Sequence, residues 1–268
     1  MNIRTLPLLA ALTAVGAAPV SAQDLDDARW LPWIGCWETT DATADALLCV
    51  QPADGGVELV AIAEDAPASV EALVADGRPR PLETEQCDGA RFAEFSADGE
   101  RVYLREEIDC NGSREVVTGV IAMVSPNLWV DIRGAEDRPD VWGRTFRRAS
   151  RERAAEAGFA SSHLEEDLAA RMMRWRASEP STIDDVIEVY DRTGAGVTRA
   201  WVMEQLDPFA VNSNALVRLA DAGVSESVID VMVATAFPEY FAFGDRSRLD
   251  RQRPVQTAGM NPAFIGGG

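Results

Sequence analysis

From Ile34 to about Arg148 short apolar segments alternate with turn residues every 8 to 12 positions. VELVAIA, RVYLREEI, VVTGVIAMV, LWVDI and VWGRTF are rich in β-branched and aromatic residues, and stretches such as DATAD, ADGG, ADGRPRP, SADGE, CNGS and AEDRPD punctuate them. Strands of that length and spacing predict an antiparallel barrel or sandwich over 23–148, with eight or nine strands. Past Arg148 the period changes to that of helices, so the chain as a whole reads as α+β: a β-barrel followed by a small all-α module.

One hairpin can be registered from the sequence. Asp98-Gly99 is the dipeptide of a two-residue type I′ turn, which needs positive φ at both positions. Paired residues then place Phe95 opposite Val102, Ala93 opposite Leu104 and Arg91 opposite Glu106. The same register sets Cys87 opposite Cys110, which leaves Cys36 to pair with Cys49 across the first hairpin. Two disulfides are therefore expected, and CxxC spacing of the redox or metal type is missing.

In the helical half, Ser162 with Glu165 forms a capping box for a linker helix within 149–180, and Leu164, Leu168, Met172 and Trp175 then share one face. Over 181–243 two segments, VIEVYDRTGAGVTRAWVMEQL and LVRLADAGVSESVIDVMVA, read as two copies of a helix pair. Gly196 and Gly223 suit the left-handed conformation after a helix end, and Thr198 and Ser225 suit the start of the next helix. Val186, Val197, Trp201, Leu206, Leu219 and Met232 are expected on the inward faces. Phe237, Tyr240, Phe241 and Phe243 follow, either sealing that core or forming an exposed interface patch. Residues 244–268 carry no sustained pattern and are expected to be a mobile tail.

The chain begins with Arg4, an apolar run from Leu6 to Ala18, and small residues Val20 and Ala22, which reads as an export signal over 1–22. No later stretch has the roughly 18 apolar residues of a spanning helix, so no transmembrane segment is expected. Acids outnumber basic residues 44 to 25 and the formal charge is −19. Such a surface repels nucleic acid, which is excluded as a partner.

A resemblance enters at Trp33-Ile34-Gly35-Cys36-Trp37. A G-x-W on the first strand followed by a meander resembles the calycin-type barrels, the lipocalins and their relatives. The resemblance covers about residues 30–148. It implies that Gly35 and Trp37 lie at a closed barrel end and that an arginine from the last strand, Arg144 or Arg147, packs on Trp37. It also implies a possible cavity for a small apolar ligand. Haem-binding relatives use a histidine, and this region has none.

The only histidine is His163, which reads as a solvated helix-start residue, and no GxSxG, HExxH, P-loop or dinucleotide fingerprint occurs. The expectation is thus a non-enzymatic exported protein without a cofactor. Its partner would be an envelope protein, as an interaction or assembly factor, or a small apolar ligand. A carboxylate-dependent hydrolase is the third reading and needs two acids converging in a cleft. Oligomeric state is left open by the sequence.

Overall fold

The computed structural model describes residues 25, 27–40, 46–63, 66–83, 87–136, 140–159 and 168–241. The export signal, Ser162, His163, Leu164, Glu165, Phe243 and the tail from 244 lie outside them. Ten strands form one antiparallel sheet: β1 (Gly35–Thr39), β2 (Ala46–Ala53), β3 (Gly56–Ala63), β4 (Ala66–Leu73), β5 (Arg80–Glu83), β6 (Cys87–Phe95), β7 (Arg101–Cys110), β8 (Ser113–Ser125), β9 (Leu128–Ala135) and β10 (Val141–Arg148). Their order is β4-β3-β2-β1-β10-β9-β8-β7-β6-β5, so β1 pairs with the last strand and the edges are β4 and β5.

Two corrections follow. The strand count is ten, and no ladder joins β4 to β5 among the described residues, so the sheet is a curled half-barrel with a lateral seam. APASVEAL has one β-branched residue and RPLE has none, so both seam strands give a weak strand pattern. The curl is nonetheless deep: Glu71 of β4 touches Arg91 of β6 across the seam.

The β6–β7 register is as the hairpin arithmetic has it, from Phe95↔Val102 to Cys87↔Cys110. Disulfides join Cys36 to Cys49 and Cys87 to Cys110. The turn type differs, since only Gly99 has positive φ (77°) and the Asp98 carboxylate accepts from Glu100 N–H at 2.9 Å. Positive φ at both central positions occurs instead at Asn111 (56°) and Gly112 (81°), between β7 and β8.

Side-chain alternation gives the sheet two buried faces. The concave face holds Trp37, Leu48, Leu59, Val102, Trp129 and Phe146, joined at one end by Trp30 of the 3-10 turn Ala28–Trp30 and by Trp33 just after it. Trp129 stacks on Phe146 with centroids 4.1 Å apart, and Trp37 meets Trp129 edge-on. These rings fill the interior at that end, where offset and edge-on pairs gain beyond their buried area.

Helices cover the convex face and close one end of the concave one. Helix α1 (Arg151–Glu156) packs Ala154 over the Cys36–Cys49 pair. Helix α2 (Leu168–Ala177) sets Ala170 and Ala177 into the aromatic end of the concave core, and its Arg176 reaches Glu100 in the β6–β7 turn at 3.0 Å. Helices α3 (Ile183–Glu204), α4 (Ser213–Asp221) and α5 (Glu226–Ala236) pack Val186, Val197, Trp201, Leu219 and Met232 onto Tyr103, Val120, Val130 and Ile132.

Local details differ from the helical expectations. The break inside α3 is at Gly194 (φ 79°), two residues before Gly196, while Gly223 (φ 75°) does adopt the left-handed conformation. Thr198 is fully buried and donates to Gly194 O at 2.7 Å, so it secures the break from below instead of capping the next segment. Ser225 precedes α5 with no side-chain cap bond; the caps are Thr182, in a capping box with Asp185, and Asn212. Leu206 lies past the end of α3 and is 48% exposed.

Candidate functional site

The concave face changes character along its length. Strand alternation carries Glu71, Arg91, Glu106, Asp131 and Arg133 to the same face as Leu73, Ala93, Leu104 and Trp129, but toward the end away from the tryptophans. Arg91 Nε donates to Glu106 Oε1 at 2.7 Å, Arg133 Nη1 donates to the same oxygen at 3.1 Å, and Arg133 Nε donates to Asp131 at 3.0 Å. Arg91 also contacts Glu71 across the seam. Arg144 stands opposite Asp131 in the β9–β10 register. The result is a buried line of alternating charge from β4 to β9.

Burial opposes the charge of both arginines in that line. For Arg133 the flanking Asp131 and Glu106 outweigh burial and raise its pKa. For Arg91 burial wins, helped by the like charge of Arg133, and its pKa is lowered despite Glu106. Arg91 is the under-compensated cation of the line.

A cleft of about 390 Å³ opens onto this line through the seam. It is lined by six consecutive residues, Ser69 to Leu73 of β4 and Val74 just past its end, by Arg80, Pro81 and Leu82 of β5, and by Arg91 and Ala93 of β6. Six consecutive residues cannot all present side chains to one place, so the edge backbone of β4 is itself part of the wall. Among the described residues Arg91 Nη2 and Glu71 Oε2 are buried without a hydrogen-bond partner.

A second surface is the outward side of α2. Leu168, Met172 and Trp175, spaced i, i+4 and i+7, are 68%, 61% and 65% exposed. The amphipathic reading therefore selects the right stripe and the wrong side, because the buried side is Ala170, Arg174 and Ala177. Ala170 and Ala177 let the helix lie close across the end of the half-barrel, with the Arg174 side chain buried on the same side. Residues 168–177 include three arginines and no acid.

Sequence-predicted site residues separate accordingly. Trp37 is buried and donates its indole N–H to Trp33 O at 2.7 Å. Gly35 pairs with Val50 at positive φ. Arg147 pairs with Glu38 at 3.3 Å, and its side chain is 66% exposed, which places it on the outside of the sheet. Tyr240 and Phe241 are exposed at 78% and 45%, and Phe237 sits at 36%. The charged line was absent from the sequence reading. Its signal was present in the register, since Arg91 and Glu106 alternate in phase with Ala93 and Leu104.

No family model matches this chain, and no curated protein matches it. Among solved structures it is similar to a secretory abundant heat soluble protein of Ramazzottius varieornatus, with 9% identity and a TM-score of 0.34 over 44% of this chain and 96% of that one. Secretory abundant heat soluble protein 4 of the same organism gives 12% identity and a TM-score of 0.34 over the same shares. Likenesses at that score leave the fold to rest on its own strand register.

Proposed function

We propose that this is an exported, non-catalytic interaction protein of the cell envelope, docking a protein partner through the outward side of α2. The observation that carries this is the exposed stripe of Leu168, Met172 and Trp175. Three large apolar side chains at i, i+4 and i+7 on one open helix face are the anchors that helix-in-groove recognition uses. An exposed apolar run of this kind costs solubility unless something covers it. Arg171 and Arg176 flank the stripe in a chain of net charge −19, so the complementary partner surface is an apolar groove with an acidic rim.

Other features support the same reading. Two disulfides fit an oxidising compartment. Helix segments broken at Gly194 and Gly223 fit a repeated helix-pair module, a frequent scaffold for binding. The hydrolase reading needs two carboxylates open to one substrate, whereas among the described residues Glu71 is the only acid lining the seam cleft and Glu106 and Asp131 are bonded to arginines behind it. The carrier reading needs room inside the half-barrel, and the aromatic end is occupied by its own rings.

The test is photocrosslinking in the exporting host. Trp175→benzoylphenylalanine should give one discrete crosslinked protein, lost when Met172→Glu is added, while Val217→benzoylphenylalanine on the 58%-exposed face of α4 should give none. Equal crosslinking from both positions, or none from Trp175, sinks the proposal.

A further inference from the structure

The seam cleft has a chemistry that neither the partner-docking face nor the packing of the half-barrel uses. Arg91 is 8% exposed, lines the cleft, and spends Nε on Glu106 and Nη1 on Glu71, yet its Nη2 has no hydrogen-bond partner. Beside it, the Glu71 carboxylate pairs with Arg91 Nη1 through Oε1, and its Oε2 is buried without a hydrogen-bond partner. A buried donor and a buried acceptor therefore stand side by side at the floor of one cleft. Leaving such groups unmatched forfeits the hydration each had in the unfolded chain, and the loss is greater when they are charged.

Each candidate ligand class meets that pair differently. A lone anion satisfies Arg91 but adds a third carboxylate to a guanidinium already between Glu71 and Glu106. A lone cation satisfies Glu71 and repels Arg91. A molecule bearing both charges on adjacent atoms satisfies both orphans and leaves the net charge of the line unchanged. Leu73, Pro81, Leu82 and Ala93 are among the remaining walls and accept an apolar body, while the one other charged group of the lining, Arg80, is held by Asp76 at 2.8 Å. The volume of about 390 Å³ falls within the range of small-ligand pockets.

We infer that the seam between β4 and β5 binds a small zwitterion with an apolar body, an apolar α-amino acid being the simplest case, its carboxylate on Arg91 and its ammonium on Glu71. The unshared Nη2 lies beside the Nη1 that faces Glu71, so the two charged groups of the ligand bridge the ion pair without breaking it. The edge N–H and C=O groups of β4 supply further partners along the same wall.

Titration calorimetry with L-leucine and L-phenylalanine tests this on the full disulfide-bonded chain. Saturable binding below about 10 mM is expected, with 4-methylpentanoate and isopentylamine, each lacking one charge, weaker by about tenfold or more. Glu71→Gln should weaken leucine binding by about tenfold and leave the binding of 4-methylpentanoate less affected, on the scale of one lost charged hydrogen bond. Arg91→Met risks unfolding because it strips Glu106 of a partner, so Leu82→Trp, which fills the cleft from the edge strand, is the second variant and should abolish binding. The inference is overturned if neither amino acid saturates in that range, if the singly charged analogues bind as well, or if Leu82→Trp binds unchanged.

Discussion

Arg101 at the start of β7 and Asp185 in the first turn of α3 meet at 2.5 Å across 84 residues of chain, and the guanidinium also reaches Asp98 at 2.7 Å and lies 6.0 Å from the Trp201 ring centre. This contact ties the helical half to the sheet. Burial opposes the Arg101 charge, but Asp185 and Asp98 outweigh it and raise its pKa. Glu188 stands 3.7 Å away on the next turn of α3.

Removing that cation leaves Asp185 and Asp98 near a buried interface without their partner. Arg101→Met should cost about 3–5 kcal/mol, the usual effect of breaking a buried pair from one side. Urea unfolding followed by hydrogen exchange checks it: protection should fall first in α3. Uniform loss across the sheet and helices would argue against a local clamp.

The outward side of α2 predicts the reverse. Met172→Glu and Trp175→Glu should change stability by no more than about 0.5 kcal/mol, since both side chains are mostly in water already. Trp129→Ala, which empties the stack on Phe146, should cost about 3–5 kcal/mol. Thermal melts of the three variants decide it. A large loss at Trp175 would mean that the stripe is covered within the protein itself.

Acid should weaken the fold in a defined window. The Arg80 hydrogen bond, with the Arg78 N–H, brings Asp76 down to about 2. Asp27 is lowered by Arg29, and Asp98 is lowered because Ser96, the Glu100 N–H and Arg101 outweigh its burial. A carboxylate with a depressed folded pKa contributes stability that is present above its unfolded value of roughly 3.9 and lost as pH falls through the folded one. Stability should thus decline from about pH 4 toward 2. At the other extreme burial raises the Tyr103 pKa, so the neutral phenol favours the fold and stability should drop once pH passes roughly 10, where the unfolded tyrosine ionises. A flat profile between pH 4 and 2 counts against the native Asp76–Arg80 pair.

The two disulfides should differ in accessibility. Cys36 and Cys49 are buried beneath α1, whereas Cys87 and Cys110 are half-buried at the hairpin end. Mild reductant followed by alkylation and mass mapping should label Cys87 and Cys110 first. Losing either bridge should cost roughly 2–4 kcal/mol, given loops closed over 13 and 23 residues.

Much of this was legible in the chain because it is local. The Asp98-Gly99 turn set the β6–β7 register, and that register alone paired all four cysteines and aligned Arg91 with Glu106. The change from strand to helix periodicity after Arg148 marked the two halves. Thr198 illustrates the boundary of that logic. Its hydroxyl suits a helix start by residue type, but burial against the sheet turned it toward the Gly194 carbonyl.

By itself the sequence determined the alternation, the turns and the covalent cross-links, since each depends on residues near in chain or joined by one hairpin. Tertiary structure decided which side of α2 faces the core, choosing Ala170 and Ala177 over Leu168, Met172 and Trp175 because the end of the half-barrel admits a helix only at close range. It also decided that no ladder joins β4 to β5 among the described residues and that Glu71 meets Arg91 across their seam. Closure of a curled sheet is the sum of the twist of ten strands, and no single segment carries that sum.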